Sequence, residues 1–284
     1  MTDNTGSSPA PGGQTDNPPM LDGEEQRPKI DGSVPHSARI WNYWLGGKDN
    51  FAVDREVGDQ ISALMPDMVP TALAIRSFLN RAVTYLAGEA GVRQFLDIGT
   101  GLPTADNTHE VAQRIAPDSR IVYVDNDPMV LVHARALLTS TPEGVTDYID
   151  TDVHDPDTIL REAARTLDFN QPVAVMLLAI VHFILDDEQA YSVVNRLLDS
   201  VPSGSYLAMV HAVHSEATDD AIRRWNEVGK PPMCARSPEE IARFFEGTEL
   251  LEPGIVPVPL WRPEAADQSA DQAVGGLCGV GRKP

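Results

Sequence analysis

The spacing of apolar residues changes near residue 92 of this 284-residue chain. Before that point, apolar side chains recur every three to four positions, which is typical of amphipathic helices. From residue 94 onward, short apolar runs alternate with helix-like stretches. Strands that alternate with helices indicate a parallel sheet built from βαβ units. The pattern therefore predicts an α/β fold with a helical N-terminal addition and a mostly parallel sheet.

Five apolar runs are the predicted strands of that sheet, at residues 94–98, 120–125, 146–150, 172–178 and 205–211. Helices are predicted at about 105–116, 128–139, 155–166, 187–200, 217–228 and 238–246. Two further extended pieces, around 254–261 and 275–281, follow them. The fourth run, PVAVMLL, is apolar throughout, which favours a central strand buried on both faces.

Three helices are predicted in the N-terminal region. Ser37 is the expected N-cap of the first, and Asp49 that of the second. The third is expected to start at Thr71 and to end at Gly88, with apolar residues at helical spacing between them.

The first 33 residues differ in composition from the rest of the chain. They contain five Gly, five Pro and no aromatic residue, so they cannot bury enough apolar surface to offset the entropy of ordering. The predicted organisation is a disordered tail at 1–33, a helical cap region at 34–92 and an α/β domain with a parallel sheet at 93–284.

The charge balance argues against several kinds of partner. Forty-two acidic residues against 22 basic ones give a formal charge of −20, which repels a polyanion, so no nucleic-acid partner is predicted. No apolar run reaches the roughly 20 residues that cross a bilayer, and no signal-peptide pattern is visible. A cytoplasmic protein without a membrane partner is expected. The two cysteines are predicted to be reduced thiols, and the histidines lack metal-ligand spacing, so no metal is predicted.

A glycine turn, QFLDIGTGLPTAD at residues 94–106, follows the first predicted strand. Gly99, Thr100 and Gly101 belong at the edge of the sheet where such folds bind ligands. The dinucleotide-binding pattern G-x-G-x-x-G needs a glycine at position 104, where this chain has Thr104. The carboxylate of Asp97 would also repel the phosphates of a dinucleotide. A carboxylate suits the sulfonium and ammonium groups of S-adenosylmethionine. This cofactor is therefore predicted, with an NAD-dependent oxidoreductase as a less favoured alternative.

Two more acids follow the next two predicted strands. Asp125 closes the second strand, 24 residues beyond Gly101, where an acid can bind ribose hydroxyls, and Asn126 stands beside it. Asp152 and Val153 follow the third strand, where they can hold the adenine. The alternative is that these acids are helix N-caps.

The segment LDIGTGLP resembles the first motif of class I S-adenosylmethionine-dependent methyltransferases, with Pro103 in place of the third glycine. More closely, the chain resembles the actinobacterial S-adenosyl methyltransferase family formerly described as a domain of unknown function. The matching pieces extend over nearly everything from residue 36 and are ARIWNYWLGGKDNFAVDRE, QFLDIGTGLPTADNTHEVAQ, VYVDNDPMVLVHARALL, PVAVMLLAIVHFI and EEIARFFEGTELLEPGIVPVPLWRP. The resemblance implies a seven-stranded Rossmann-like methyltransferase with a helical N-terminal addition, and it supplies no acceptor.

An aromatic-rich segment in the N-terminal region is predicted to cover the cofactor and the acceptor. Aromatic rings can pack against a flat acceptor or face a sulfonium. The alternative is that the two tryptophans only attach the helices to the sheet. The predicted lid residues are Trp41, Asn42, Tyr43, Trp44, Lys48 and Phe51.

The exit of the fourth strand is the second place where an acceptor is expected. The resemblance implies that Ala179 and His182 border the transferred methyl group. His182, or failing that His211 at the end of the fifth strand, is predicted to remove a proton from the acceptor. The alternative for His182 is a structural role. The predicted function is methyl transfer to a small-molecule acceptor, with a non-catalytic protein that binds S-adenosylmethionine as the main alternative.

Overall fold

The computed structural model describes residue 1 and residues 31–137, 139–263 and 274–284. Most of the predicted tail, residues 2–30, therefore lies outside the described residues. The helices are α1 (Ser37–Trp44), α2 (Ala52–Leu64), α3 (Met68–Gly88), α4 (Thr108–Ile115), α5 (Pro128–Leu137), α6 (Pro156–Ala163), α7 (Asp187–Asp199), α8 (Glu216–Val228) and α9 (Pro238–Arg243). The strands are β1 (Gln94–Ile98), β2 (Arg120–Asp125), β3 (Val145–Asp150), β4 (Ala174–Leu178), β5 (Tyr206–Ala212), β6 (Glu249–Leu250), β7 (Val256–Pro257) and β8 (Gly276–Arg282).

The strands form one sheet in the order β3-β2-β1-β4-β5-β8-β6, with β7 also paired to β8. Strands β1 to β5 are parallel, and β8 runs antiparallel to β5, β6 and β7. All five predicted parallel strands are confirmed within two residues of their ends. The order reverses between β1 and β4, which is where an open sheet of this kind binds its ligand.

The C-terminal part of the sheet differs in detail from the prediction of seven strands. The extended piece predicted at 254–261 forms only the two-residue strand β7 and then a 3₁₀ turn at Val258–Leu260. Pro257 and Pro259 explain this, because proline has no N–H to donate to a strand ladder. Strand β6 was not predicted, because two exposed residues leave no periodic pattern.

Both faces of the sheet are covered. Along β1, Phe95 packs in the cluster that includes α3 and α4, whereas Leu96 packs in the cluster that includes α6 and α7. All five residues of β1 are buried, as expected of a central parallel strand. No helix within the described ranges is long and apolar enough to cross a membrane.

The three N-terminal helices are present, but the predicted N-caps of α1 and α2 and the predicted start of α3 are wrong. The cap of α1 is His36, whose backbone is extended, and Ser37 is the first helical residue. Helix α3 starts at Met68, and the hydroxyl of Thr71 donates to the carbonyl of Asp67 at 2.8 Å from inside the helix. Side-chain hydrogen bonds within a first turn can imitate a cap in a sequence pattern.

Helix α2 is also capped differently from the prediction. Its cap is Phe51, whose N–H donates to Oδ2 of Asp54 at 2.8 Å. The predicted cap, Asp49, instead donates its backbone N–H to Oδ1 of Asn42 at 3.0 Å. The carboxylate of Asp54, in the first turn of the helix, thus accepts from the N–H of the cap residue, which is one half of a capping box.

Candidate active site

One cavity opens at the carboxyl ends of β1 to β5 and extends beneath the N-terminal helices. Its lining includes residues that follow β1, β2, β3 and β4, together with residues of α1, α2, α3 and α8. Every residue predicted to bind the cofactor is in this lining: Asp97, Gly99, Thr100, Gly101, Asp125, Asn126, Asp152, Val153 and Ala179. The parallel register explains the convergence, because β1 pairs with both β2 and β4.

The glycine turn has the left-handed backbone that its sequence suggests. Gly99 has a φ of 79° and Gly101 a φ of 67°, a region that side chains other than glycine rarely occupy. A Cβ on Gly99 would lie 2.6 Å from the side chain of Ile180, whereas a Cβ on Gly101 would have no atom within 4 Å. The turn is therefore held against the exit of β4 at one glycine and leaves open space at the other.

Asp125 connects the end of β2 to this turn. Its Oδ2 accepts from the N–H of Gly101 at 2.8 Å, and its Oδ1 accepts from the N–H of Asp127 at 2.9 Å. Burial raises the pKa of Asp125, and these two hydrogen bonds oppose the shift. A carboxylate has about four acceptor sites, so the side chain can also accept from the hydroxyls of a bound ligand.

Asp97 is 5% exposed at the end of β1, and its Oδ2 accepts from the hydroxyl of Thr108 at 2.6 Å. Burial raises its pKa to about 6, against the opposing effects of Thr108 and of the positive charge of Arg76. The guanidinium of Arg76 donates to the carbonyls of Ala105 and Asp106 at 2.9 and 2.8 Å. Sequence reasoning missed Arg76 and Thr108, and an arginine among the apolar positions of α3 was the one available signal.

We expect the affinity for S-adenosylmethionine to fall when the pH drops below about 6, the pKa of Asp97. Above that pH the carboxylate is ionised and attracts a cation; below it the neutral acid does not, so affinity should weaken roughly tenfold per pH unit. Calorimetry between pH 5 and 8 measures this. Asp97→Asn should bind weakly at pH 8 and lose most of the pH dependence. An equally steep dependence in that variant would contradict the assignment.

The exit of β3 carries a pair of hydrogen-bonded polar residues. The amide of Asn126 donates to Oδ2 of Asp152 at 2.7 Å, and Oδ1 of Asp152 accepts from the N–H of His154 at 2.9 Å. Burial alone would raise the pKa of Asp152, but the hydrogen bonds from His154 and Asn126 outweigh it and lower the pKa. Val153, beside them, is buried and lines the cavity.

None of the three strand-exit acids caps a helix, so the alternative role considered for them does not apply. The helix-capping acids are their neighbours. Oδ1 of Asp127 accepts from the N–H of Met129 at the start of α5, at 2.8 Å. Asp155 accepts from the N–H of Thr158 in α6 at 3.0 Å.

His182 lies in a 3₁₀ turn, Val181–Phe183, that follows β4. Its side chain lines the cavity, and its Nδ1 is buried without a hydrogen-bond partner. Burial holds its pKa well below the ordinary value for histidine, and the charge of Arg236 adds to the shift. Ala179, at the same strand exit, has a φ of 62°, which is unusual for a residue with a Cβ.

His211 also lines the cavity, but both of its ring nitrogens are engaged. Nδ1 lies 2.8 Å from the carbonyl of Ala212, and Nε2 lies 2.8 Å from a guanidinium nitrogen of Arg236. Because a carbonyl only accepts and a guanidinium only donates, Nδ1 carries the proton and Nε2 accepts. Burial lowers the pKa of His211 to about 4. The geometry therefore favours His182 over His211 as a base.

Arg236 fixes the turn that carries His182. It is 1% exposed and donates to the carbonyl of Ile184 at 2.8 Å and to Oδ1 of Asp187 at 3.0 Å. The N–H of Cys234 donates to the carbonyl of His182 at 2.9 Å. The segment before α9 thus binds this turn from one side, a contact that sequence reasoning missed.

The structure divides the predicted lid residues into two groups. Trp41, Asn42 and Trp44 line the cavity, and the two indole rings meet edge to face at 5.7 Å between centroids. Asn42 is buried and accepts from the side chain of Asn50 as well as from Asp49, so it holds the α1–α2 connection.

The other three predicted lid residues are not in the cavity lining. The hydroxyl of Tyr43 donates to Asp59 on α2 at 2.7 Å. The ring of Phe51 lies beneath the guanidinium of Arg39, 5.2 Å from its centroid. Lys48 is exposed in the turn after α1. Tyr43 lies on a different side of the short helix α1 from Trp41 and Trp44, whereas Lys48 and Phe51 follow that helix and are not positioned by it.

Helix α1 is attached to the loop that follows Asp125. Nδ1 of His36 lies 2.8 Å from Oδ2 of Asp127 and 3.4 Å from the N–H of Ala38, and the shorter distance favours a proton directed to the carboxylate. Asp54, fully buried, accepts from the N–H of His36 at 3.0 Å and from Arg39 at 2.9 Å. The N-terminal helices are thus hydrogen-bonded to the cofactor side of the cavity.

The site fits S-adenosylmethionine by the chemistry of its groups. Three acids converge on one strand edge, one of them, Asp97, is buried, and a glycine there leaves room for close approach. This arrangement suits a cation with ribose hydroxyls, and Asp97 would oppose a pyrophosphate. With the observed strand order, these features define a class I methyltransferase.

The model of the S-adenosyl methyltransferase family matches residues 23–284, and the chain belongs to that family. The crystal structure of a DUF574 family protein from Streptomyces avermitilis is similar to this chain, with 48% sequence identity and a TM-score of 0.86. The match covers 90% of this chain and 100% of that one. The crystal structure of a predicted methyltransferase from Thermobifida fusca has 42% sequence identity and a TM-score of 0.83. That match covers 92% of this chain and 99% of the other. No curated protein matches. The chain is an S-adenosylmethionine-dependent methyltransferase.

Proposed function

We propose that the enzyme methylates an oxygen or nitrogen of a small molecule, and that His182 accepts the proton that the acceptor loses. The observation that carries this proposal is the buried Nδ1 of His182, which has no partner although the side chain borders the cavity. A buried polar atom without a partner costs about 1–3 kcal/mol. A ligand group that reaches this nitrogen after a small movement of the turn at 181–183 would recover that cost.

The residues around the cofactor have separate roles in this proposal. When bound, S-adenosylmethionine supplies an electrophilic methyl group on its sulfonium. Asp97 and the turn at 99–101 hold the methionine portion, Asp125 and Asn126 the ribose, and Asp152 and Val153 the adenine. Ala179, at the exit of β4, borders the transferred methyl in this proposal.

The protein's contribution to rate is chiefly orientation. Holding two reactants in line contributes up to ~7–11 kcal/mol in favourable cases. Trp41 and Trp44 line the cavity, and in this proposal they cover the bound reactants, while the contact between His36 and Asp127 attaches α1 to the cofactor side. A covered cavity of this kind suits a small acceptor, and the charge of −20 disfavours nucleic acid.

We expect His182→Gln to reduce methyl transfer by about 10²–10⁴-fold, the usual contribution of a general base. Affinity for S-adenosylmethionine should stay unchanged. S-adenosylhomocysteine release, measured across a panel of hydroxyl- and amine-bearing small molecules, first identifies an acceptor and then gives the rates. His214→Gln is the matched control, because His214 is exposed and outside the cavity lining.

The pH dependence gives a second check on the same residue. Only neutral imidazole accepts a proton, and burial keeps the pKa of His182 well below its ordinary value. At saturating cofactor, wild-type activity should therefore stay level from pH 8 down to pH 6. Full activity in His182→Gln would rule out its role as the base.

A further inference from the structure

The cavity continues from the strand exits into a region that we call the acceptor compartment. Its walls come from α1, α2, α3, α8 and the loop after α8, and they are formed by Trp44, Ile61, Met65, Met68, Trp225 and Met233. These six side chains also pack in one apolar cluster. Indole rings and thioethers give large, polarisable contact surfaces for an apolar ligand.

The polar side-chain atoms of these walls, and of Thr218 beside them in the lining, are already hydrogen-bonded. The indole N–H of Trp225 donates to the carbonyl of Pro231 at 2.7 Å, and that of Trp44 donates to the carbonyl of Gly58 at 3.3 Å. The hydroxyl of Thr218 accepts from Ser215 at 2.8 Å within the cap of α8. The walls therefore present mainly carbon and sulfur.

Charged groups are confined to the other end of the cavity. Among the described lining residues, the carboxylates are Asp97, Asp125 and Asp152, each at a strand exit on the cofactor side. Arg76 is the cation of that lining, and it is engaged with two backbone carbonyls beside Asp97. An ionised acceptor in the compartment would lose its hydration without gaining a partner, which is costly.

Two glycines keep these walls close to the backbone. A Cβ at position 229 would collide with the ring of Trp225, and a Cβ at position 275 would collide with the end of Met65. The Trp225 ring is 4% exposed and Met65 is 5% exposed, so both side chains are fixed by their surroundings. The shape of the compartment is thus set by packing and not by hydrogen bonds.

We propose that the acceptor is an uncharged, largely apolar small molecule that places a hydroxyl or N–H group at His182 and its carbon framework against Trp44, Met68 and Met233, the partly exposed residues of these walls. The placement of the hydroxyl or N–H group at His182 rests on the proposed function. The choice of an uncharged carbon framework rests only on the apolar walls of the compartment.

Three phenols of similar size test the assignment by calorimetry on the full chain saturated with S-adenosylhomocysteine at pH 7.5. They are 4-ethylphenol (neutral), 4-hydroxyphenylacetate (anionic) and tyramine (cationic). We expect 4-ethylphenol to bind at least tenfold more tightly than either charged phenol, because burying an unpaired charge costs far more than that factor. Equal or tighter binding of a charged phenol would overturn the proposal, and so would failure of all three to bind at millimolar concentration.

A charge placed in the wall should change this preference. Met68 is partly exposed at the start of α3, so Met68→Lys is tolerable there and should tighten binding of 4-hydroxyphenylacetate relative to 4-ethylphenol about tenfold. Leu64→Lys, at an exposed position outside the lining, should leave that ratio unchanged. If the ratio of the two affinities is unchanged in both variants, the phenols bind outside the acceptor compartment, and the proposal is overturned.

The binding experiment does not depend on turnover, so it can separate this assignment from the proposed function. If His182→Gln keeps full activity while 4-ethylphenol remains preferred, His182 is not the base, but the proposed acceptor class is supported. If 4-ethylphenol is not preferred while His182→Gln loses activity, the proposed acceptor class is overturned, but the role of His182 as the base is supported.

Discussion

Asp125→Ala is expected to weaken binding of S-adenosylmethionine and S-adenosylhomocysteine by about 10²–10⁴-fold. A hydrogen bond to a charged group contributes about 1.5–3 kcal/mol, and the carboxylate can accept from two ribose hydroxyls. The substitution also removes the acceptor for the N–H groups of Gly101 and Asp127, so the glycine turn loses its attachment to β2. Calorimetry with both ligands measures the effect.

The chain offers a matched control for this variant. Asp150 is the Cα partner of Asp125 in the β2–β3 ladder, but it is exposed and does not line the cavity. Asp150→Ala should therefore bind both ligands as the wild type does. Retained affinity in Asp125→Ala, or an equal loss in the two variants, would show that the ribose is held elsewhere.

Gly99→Ala is expected to lower the free energy of unfolding by about 2–5 kcal/mol, from left-handed backbone strain and overpacking together. The φ of 79° disfavours any Cβ, and this one would also lie 2.6 Å from Ile180. Relief requires movement at the exit of β4, beside Ala179, so cofactor affinity should fall as well. Urea unfolding and calorimetry give the two quantities.

Gly247→Ala separates strain from collision. Gly247 also has a φ of 79°, but nothing lies within 4 Å of its Cβ position, and it is exposed in the turn before β6. Gly247→Ala should therefore lower the free energy of unfolding only by the cost of left-handed backbone, about 1–2 kcal/mol. Equal losses in the two glycine variants would mean that Ile180 simply moves aside.

The layout of the sheet could be predicted from sequence because its strands are buried on both faces. Uninterrupted apolar runs such as residues 174–178 leave a strong pattern, and all five parallel strands were recognised. The helix caps of the N-terminal region were harder. There, Asp54 accepts a hydrogen bond from the N–H of Phe51, and the sequence pattern does not distinguish that arrangement from a cap at Asp49.

The cofactor side of the cavity was predictable for a related reason. Parallel strands bring their carboxyl ends to one edge, so acids that follow successive strands must meet there. The contacts of Arg76 with the loop at 105–106, and of Arg236 with Ile184, join segments far apart in the chain. No spacing rule links such residues, so only the folded structure reveals them.

The acceptor side was the least predictable part. Helix α8 forms one of its walls, yet its residues stand more than 100 positions from the glycine turn. An apolar residue such as Trp225 reads in sequence as ordinary core, because packing against a helix and packing against a ligand require the same side chain.

Strand β8 has a consequence for the order of events during synthesis. It lies between β5 and β6, although it is the last strand of the sheet to leave the ribosome. Until residues 276–282 arrive, the backbone groups of β5 opposite them have no partner, and the nascent sheet ends in an open, apolar edge. The edge of β5, the strand that carries His211, therefore stays open from the synthesis of residue 212 to that of residue 276, and the cavity lining gains Gly276 only when β8 is in place.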